Sequence, residues 1–210
     1  MLAADTLASY GSLAMFKDVT RIARTGSYTL VGASGELSDY HALLDKLKGL
    51  AQANANCDDG FEHGPAEIYS YLRAVLYQRR NKFDPLWNSL VVGGFKDGAP
   101  FLGSVDLRGT AYEDDVIATG YGSHLALPIM RAKWTPDLDE GEARALLEDC
   151  LRVLFYRDCR ALNRVQVRAP GPPLRARQRA PARQREGRLP AREREGSCSA
   201  PSRARRPKSL

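Results

Sequence analysis

Two short apolar runs separated by Lys96-Asp97-Gly98 set the clearest pattern in the chain. Asn88–Phe95 carries Leu90, Val91 and Val92, while Phe101–Asp106 carries Phe101, Leu102 and Val105. Asp-Gly between apolar runs predicts a hairpin, because glycine accepts a positive φ without a steric penalty. Gly93 and Gly94 lie inside the first run, where they predict a bulge or a close backbone approach. Ala118–Ser123 reads as a strand passing through glycines into a helix over Gly122–Trp134, interrupted by Pro128.

Ahead of this hairpin the pattern alternates between the two periods. Met1–Asp5 looks like the end of a strand, and Ser9-Tyr10-Gly11-Ser12 looks like a turn. Val19–Ile22 and Ser27–Val31 read as short strands joined at Thr25-Gly26-Ser27, with Gly32–Gly35 closing the segment. Leu43, Leu44, Leu47 and Leu50 recur at helical spacing and predict a helix from Ser38 to about Ala53. Gly64-Pro65 opens a second, since proline at an early position gives up no hydrogen bond; its apolar face is Ile68, Tyr71, Leu72, Val75 and Leu76. Asp139 and Glu142 have capping-box spacing and introduce the strongest helix, about Glu140–Arg157. Arg164–Arg168 returns to strand. Strand groups alternating with helix pairs predict an α+β fold, a four-layer αββα sandwich with two antiparallel sheets between helix pairs.

At Pro170 the composition changes. Residues 169–210 hold eleven Arg and one Lys against three Glu, with no aromatic, Val or Ile. The total charge of +6 therefore splits into +9 for this tail and −3 for Met1–Arg168. Two domains are expected: 1–168 folded, and 169–210 a disordered Arg/Pro-rich tail, since such a composition buries too little surface to offset ordering entropy. Arginine-rich arms can neutralise phosphates, yet no aromatic residue is available there to stack bases, so nucleic acid is an unlikely partner. The alternative for this segment is translated sequence foreign to the native protein. No stretch approaches ~20 apolar residues, as a bilayer-spanning helix requires. Cys57, Cys150, Cys159 and Cys198 lack metal-ligand spacing and are expected as buried free thiols in a reducing compartment.

The stretches LAADTLASYGSLA, RIARTGSYTLVGASGELSDY, YLRAVLYQRRNKFDPLWNSLVVGGFKDGAPFLGSVDLRGTAYEDDVIATGYGSHLA and LRVLFYRDCRALNR carry a family signature. Over most of Leu2–Val167 the chain resembles the beta subunits of the eukaryotic 20S proteasome, above all the type in the seventh beta position. The resemblance implies the αββα fold of N-terminal-nucleophile hydrolases. In active members of that family an N-terminal threonine is both nucleophile and, through its amine, base. The chain is expected to start within the second strand, without that threonine. After Arg168 it is expected to lack the family's last strand and its C-terminal arm, consistent with a truncated or mis-spliced gene product.

Position by position, the resemblance places a degenerate site. The family's aspartate is Asp5. Its activating lysine is replaced by Arg21, a permanently charged fork that cannot share a proton. Gly35 keeps the glycine whose N–H serves the oxyanion. One orienting serine is Tyr121. Tyr156-Arg157-Asp158 retains the motif's aspartate, Asp158, but the serine after it is Ala161. The implied protein is a non-catalytic structural subunit of the core particle, in the cytoplasm and nucleus. Its partners would be other alpha and beta subunits of a heteromeric ring, and active neighbours would carry out ubiquitin-dependent proteolysis. No cofactor and no metal are expected. A threonine-type endopeptidase, and a nucleic-acid binder acting through the basic tail, are the alternatives. His41, His63 and His124 lie far apart in sequence, and Glu113-Asp114-Asp115 reads as a solvated turn. Gly120–Ser123 lacks the ending of a phosphate loop. Trp87 and Trp134 are expected as core or interface anchors.

Overall fold

The computed structural model describes residues 1–170 and the backbone of 186–187. Most of the expected tail, with Cys198, lies outside the described residues. In chain order the elements are β1 (Leu2–Asp5), β2 (Ala8–Tyr10), β3 (Leu13–Phe16), β4 (Ile22–Thr25), β5 (Thr29–Gly35), α1 (Leu37–Cys57) and α2 (Pro65–Asn81). They continue with β6 (Asn88–Lys96), β7 (Ala99–Val105), β8 (Ala111–Glu113), α3 (Gly122–Lys133), α4 (Glu140–Arg157), β9 (Val165–Arg168) and β10 (Glu186–Gly187).

The Asp-Gly hairpin forms as expected. Asp97 (φ +54) and Gly98 (φ +82) both take left-handed conformations, which matches the twist of the flanking strands and sets Lys96 opposite Ala99. Around this hairpin the order β4-β5-β6-β7-β8 builds a five-stranded sheet in which every neighbouring pair is antiparallel. Along β5 and β6, Val31, Leu90 and Val92 point to the face covered by α1 and α2. There they meet Leu43 and Leu47 of α1 and Leu72 and Leu76 of α2, all essentially inaccessible. Tyr40 joins this core by donating its hydroxyl to the Val31 carbonyl at 2.8 Å, and burial pushes its phenol pKa upward.

The opposite face of the same strands carries Gly32 and Gly93. A Cβ at either would lie 3.6–3.8 Å from Leu2 side-chain carbons, so β1 packs closely across bare backbone. No register shift occurs in β6, and of its two glycines Gly94 serves close approach rather than a bulge, since a Cβ there would lie 2.5 Å from the Tyr28 carbonyl oxygen. β1 pairs antiparallel with β9 (Leu2 opposite Arg168), and β9 pairs in turn with β10. α4 packs on β1, and α3 packs on α4. The fold is thus α+β with antiparallel sheets and helices.

Several boundaries move. The expected strands Val19–Ile22 and Ser27–Val31 sit later, as β4 and β5, and Gly32–Gly35 belong to the strand rather than closing it. Helix α1 runs on to Cys57, where Asp58 stops it in a left-handed conformation (φ +50). The expected turn at Ser9–Ser12 is the tip of a hairpin, β2–β3, with Gly11 at φ +58. Residues 114–121 form no strand, and α3 passes through Pro128 without a break. That proline is exposed, so the carbonyl freed one turn earlier can be met by solvent. In α2, Tyr69 rather than Tyr71 is buried with Ile68, Leu72 and Leu76. The capping box of α4 forms: Glu142 N–H donates to Asp139 Oδ1 at 2.6 Å, and Asp139 N–H to Glu142 Oε2 at 3.3 Å.

Candidate functional site

Asp5 and Arg21 come together although fifteen residues of hairpin and loop intervene. β1 delivers Asp5 at its end, and Arg21 immediately precedes β4. Arg21 Nη1 lies 3.1 Å from Asp5 Oδ1, with the two side chains 30% and 19% exposed. The other guanidinium nitrogen donates to the Leu7 carbonyl. The backbone of Arg21 is also fixed. Its N–H and that of Ile22 both donate to Gln166 Oε1, at 3.2 and 3.0 Å, and its carbonyl accepts from Ala33 N–H at 3.1 Å.

Burial raises the Asp5 carboxyl pKa above its ordinary value, and the nearby Asp158 charge pushes the same way. The Arg21 guanidinium and a backbone N–H from Leu7 pull in the opposite direction without overcoming burial. Asp158 itself follows the last turn of α4 and accepts from Arg160 N–H at 2.9 Å. Asp5, Arg21 and Asp158 thus form one electrostatic group. Its cation is committed to an aspartate and a carbonyl, and guanidinium has no accessible neutral form to act as a base.

Gly35 stands at the end of β5, two residues past the strand's bond to Arg21. Its φ of +102 suits glycine, and a Cβ there would come within 2.1 Å of the Trp87 carbonyl oxygen. That carbonyl instead accepts Glu36 N–H at 2.9 Å, and Asn88 Nδ2 closes the corner by donating to the Glu36 carbonyl at 2.7 Å. Tyr121 is 64% exposed where α3 begins, and Ala161 lies in the loop before β9. Among the described residues no hydrogen bond joins either of them to Asp5 or Arg21. The residues that sequence reasoning missed are Gln166, Leu7 and Thr6. Thr6 N–H bonds the Arg164 carbonyl at 3.1 Å, and its hydroxyl donates to the Lys17 carbonyl at 2.9 Å. The alternation in Arg164–Arg168 sets Gln166 on the face opposite Val165 and Val167, so nothing local in the sequence marked it.

The remaining candidates separate. His41 stacks beside Tyr40, and His63 meets the Phe61 ring edge-on. No group of three or more His, Cys, Asp or Glu side chains is placed to hold a metal among the described residues. Asp114 of the acidic run pairs with Arg131 at 3.3 Å. Trp87 is 63% exposed and Trp134 38%, so neither is a core residue. Of the three described thiols only Cys150 is buried, whereas Cys57 and Cys159 are exposed, which corrects the expectation of buried thiols at those two positions. A groove of about 960 Å³ opens between the β6–β7 hairpin and the α3–α4 pair, lined among others by Phe101, Leu102, Met130, Trp134 and Leu146. No helix is long and apolar enough to cross a membrane among the described residues.

The family described as "Proteasome subunit" matches residues 1–169. The chain belongs to the proteasome subunit family. Its similarity to "Proteasome subunit beta type-4" of Dictyostelium discoideum is 47% identity over 173 residues, covering 81% of this chain and 67% of that protein. The Arabidopsis thaliana protein of the same name is 47% identical over 167 residues, covering 80% and 68%. "Proteasome subunit beta type-7" of Saccharomyces cerevisiae is 38% identical over 173 residues, covering 77% and 64%. The chain spans about two thirds of the length of these proteasome relatives. It is a beta-type subunit of the eukaryotic 20S kind.

Proposed function

We propose that this protein is a non-catalytic structural beta subunit of the 20S proteasome core particle, at the seventh position of the beta ring. Its fold is read as the four-layer αββα sandwich of the N-terminal-nucleophile hydrolases, carried by residues 1–168, with 169–210 as an appended tail. It contacts neighbouring alpha and beta subunits in the cytoplasm and nucleus. It supports ring assembly while active neighbours degrade ubiquitin-marked protein.

The observation that carries this reading is the state of Arg21. A guanidinium 3.1 Å from Asp5 and bonded to the Leu7 carbonyl occupies the place where active relatives need a titratable lysine. It cannot tune a nucleophile by giving up a proton. Tyr121 and Ala161 add two positions without the serine hydroxyl. Members of a catalytic unit act together, so replacing several leaves little activity.

The test is intact-mass analysis of purified protein after incubation with an epoxyketone inhibitor of threonine proteases. The expected result is no mass increase, under conditions that label an active beta subunit fully. A stoichiometric adduct would restore the endopeptidase reading.

A further inference from the structure

Helix α2 ends in a cationic surface that the described residues leave largely without carboxylate partners. Arg73, Tyr77 and Arg80 follow at i, i+4 and i+7 and are exposed, so they share the outer face of the helix. The Arg80 guanidinium lies 5.9 Å from the Tyr77 ring centroid. Gly109 packs against the Tyr77 backbone and Cβ, which brings the exposed Arg108 alongside. Lys82 follows, and then Phe83, which is 97% exposed at φ +57. Arg73, Arg80, Lys82 and Arg108 have no carboxylate in ion-pair reach among the described residues.

Phe83 is the unusual member. A bulky residue in the left-handed region is strained, and nothing in the fold rewards it with burial. The turn that holds it is nevertheless well made. Phe83 N–H donates to the Arg80 carbonyl and Asp84 N–H to the Arg79 carbonyl, each at 3.1 Å. Arg79 Nη2 and Asp84 Oδ2 pair at 2.7 Å, which also neutralises the one acid in the turn. Leu86 anchors the segment in the core at 6% exposure. The turn therefore presents one exposed ring on a surface that also carries the exposed cations Arg80 and Lys82 and, one to two turns back along α2 or on the adjoining loop, Arg73 and Arg108.

We infer that this surface, Tyr77–Arg80–Phe83 with Arg73, Lys82 and Arg108, docks an acidic patch of a different subunit of the same particle. The Phe83 ring enters an apolar pocket there. Aromatic anchors held in their bound conformation give the largest return on binding, because little freedom is lost. The charge pattern selects the partner. Four uncompensated cations repel the same surface of a second copy and attract a surface rich in Asp and Glu. Phosphate backbones would also meet these cations. However, Tyr77 already lies beside Arg80, and a single free ring does not make a platform for successive bases. The inference rests on the subunit reading above and names the chemistry of one neighbour.

The test uses the tagged full chain co-expressed with the other subunits, with p-benzoylphenylalanine in place of Phe83. Irradiation of isolated 20S particles is expected to join position 83 to an Asp/Glu-rich segment of one other subunit. Arg80→Glu combined with Lys82→Glu should cut the fraction of chain in particles at least fivefold. Lys46→Glu, on the exposed side of α1, should leave that fraction unchanged. Phe83→Asn tolerates the left-handed conformation, so it should raise the melting temperature of the purified chain by a few degrees while lowering incorporation. That split separates a docking ring from a structural one. No cross-link in the particle, a cross-link to a second copy or to RNA, or normal incorporation of the charge-reversed variant would overturn the inference and leave the subunit reading intact. Absence of the unmodified chain from 20S particles would overturn both.

Discussion

On the α1–α2 face of the five-stranded sheet, Leu43, Leu47, Leu72, Leu76 and Leu90 are essentially inaccessible and pack as one cluster. Across the sheet, the cluster under α3 and α4 buries only Val116, Ala126, Met130 and Cys150, with Leu146, Leu147 and Leu154 half-covered around it. An open groove of about 960 Å³ lies beside that second cluster, where the first has interlocking leucines. Stability is therefore concentrated on one face, and the other face opens first when the protein fluctuates.

Core truncation is the harshest way to break this contrast. Leu72→Ala should cost about 2–5 kcal/mol, the range for deleting a fully buried leucine side chain. Leu146→Ala removes as many atoms from a half-exposed site and should cost less than half as much. Urea denaturation of both variants checks the ratio, and equal costs would mean that the two faces are equally consolidated. Next in size is Gly35→Ala. The φ of +102 is unfavourable for alanine, and the new methyl group would sit 2.1 Å from the Trp87 carbonyl oxygen, so the backbone must move, at a cost of roughly 1–3 kcal/mol. The loss should be visible as a lower melting temperature.

How far the contrast could be read in advance depends on the element. Helix α4 was legible because Asp139 and Glu142 and the leucines that follow agree at two levels, cap and period. The β6–β7 hairpin was legible because Asp97-Gly98 demands two left-handed residues. The β2–β3 hairpin escaped because Leu13–Phe16 faces outward at every position, so no alternation marks it. Gly32 and Gly35 read as punctuation, yet both sit in β5: at Gly35 the Trp87 carbonyl oxygen comes too close for a side chain, whereas at Gly32 a Cβ would meet Leu2 only at ordinary contact distance. Asp5, Arg21 and Asp158 entered through family resemblance alone, and nothing in their spacing announced the grouping. Gln166 was invisible because a side chain that bonds two backbone N–H groups 144 and 145 residues away leaves no local signal.

Smaller effects sharpen the same picture. Asp139→Ala removes the side-chain oxygen that accepts Glu142 N–H, keeps the backbone N–H that Glu142 accepts, and should cost about 1 kcal/mol. It should also speed amide hydrogen exchange in α4 while leaving α1 and α2 unchanged. The smallest expected effect is a pH slope. Burial raises the Asp5 pKa in the folded state above its ordinary 3.8, so the folded protein binds that proton more tightly than the unfolded chain. The stabilisation this gives is complete below pH 3.8 and is lost as pH rises through the folded pKa. Asp5→Asn should flatten that part of the curve of unfolding free energy against pH, and an unchanged slope would show that another group sets it.

On the proposed reading the protein works by occupying a place in a multisubunit particle. Glycerol-gradient sedimentation of the tagged full chain from cells, with peptidase activity followed across the fractions, tests it most directly. The chain should peak with the 20S particle and its activity. Recovery only as free monomer, well away from that peak, would contradict the account.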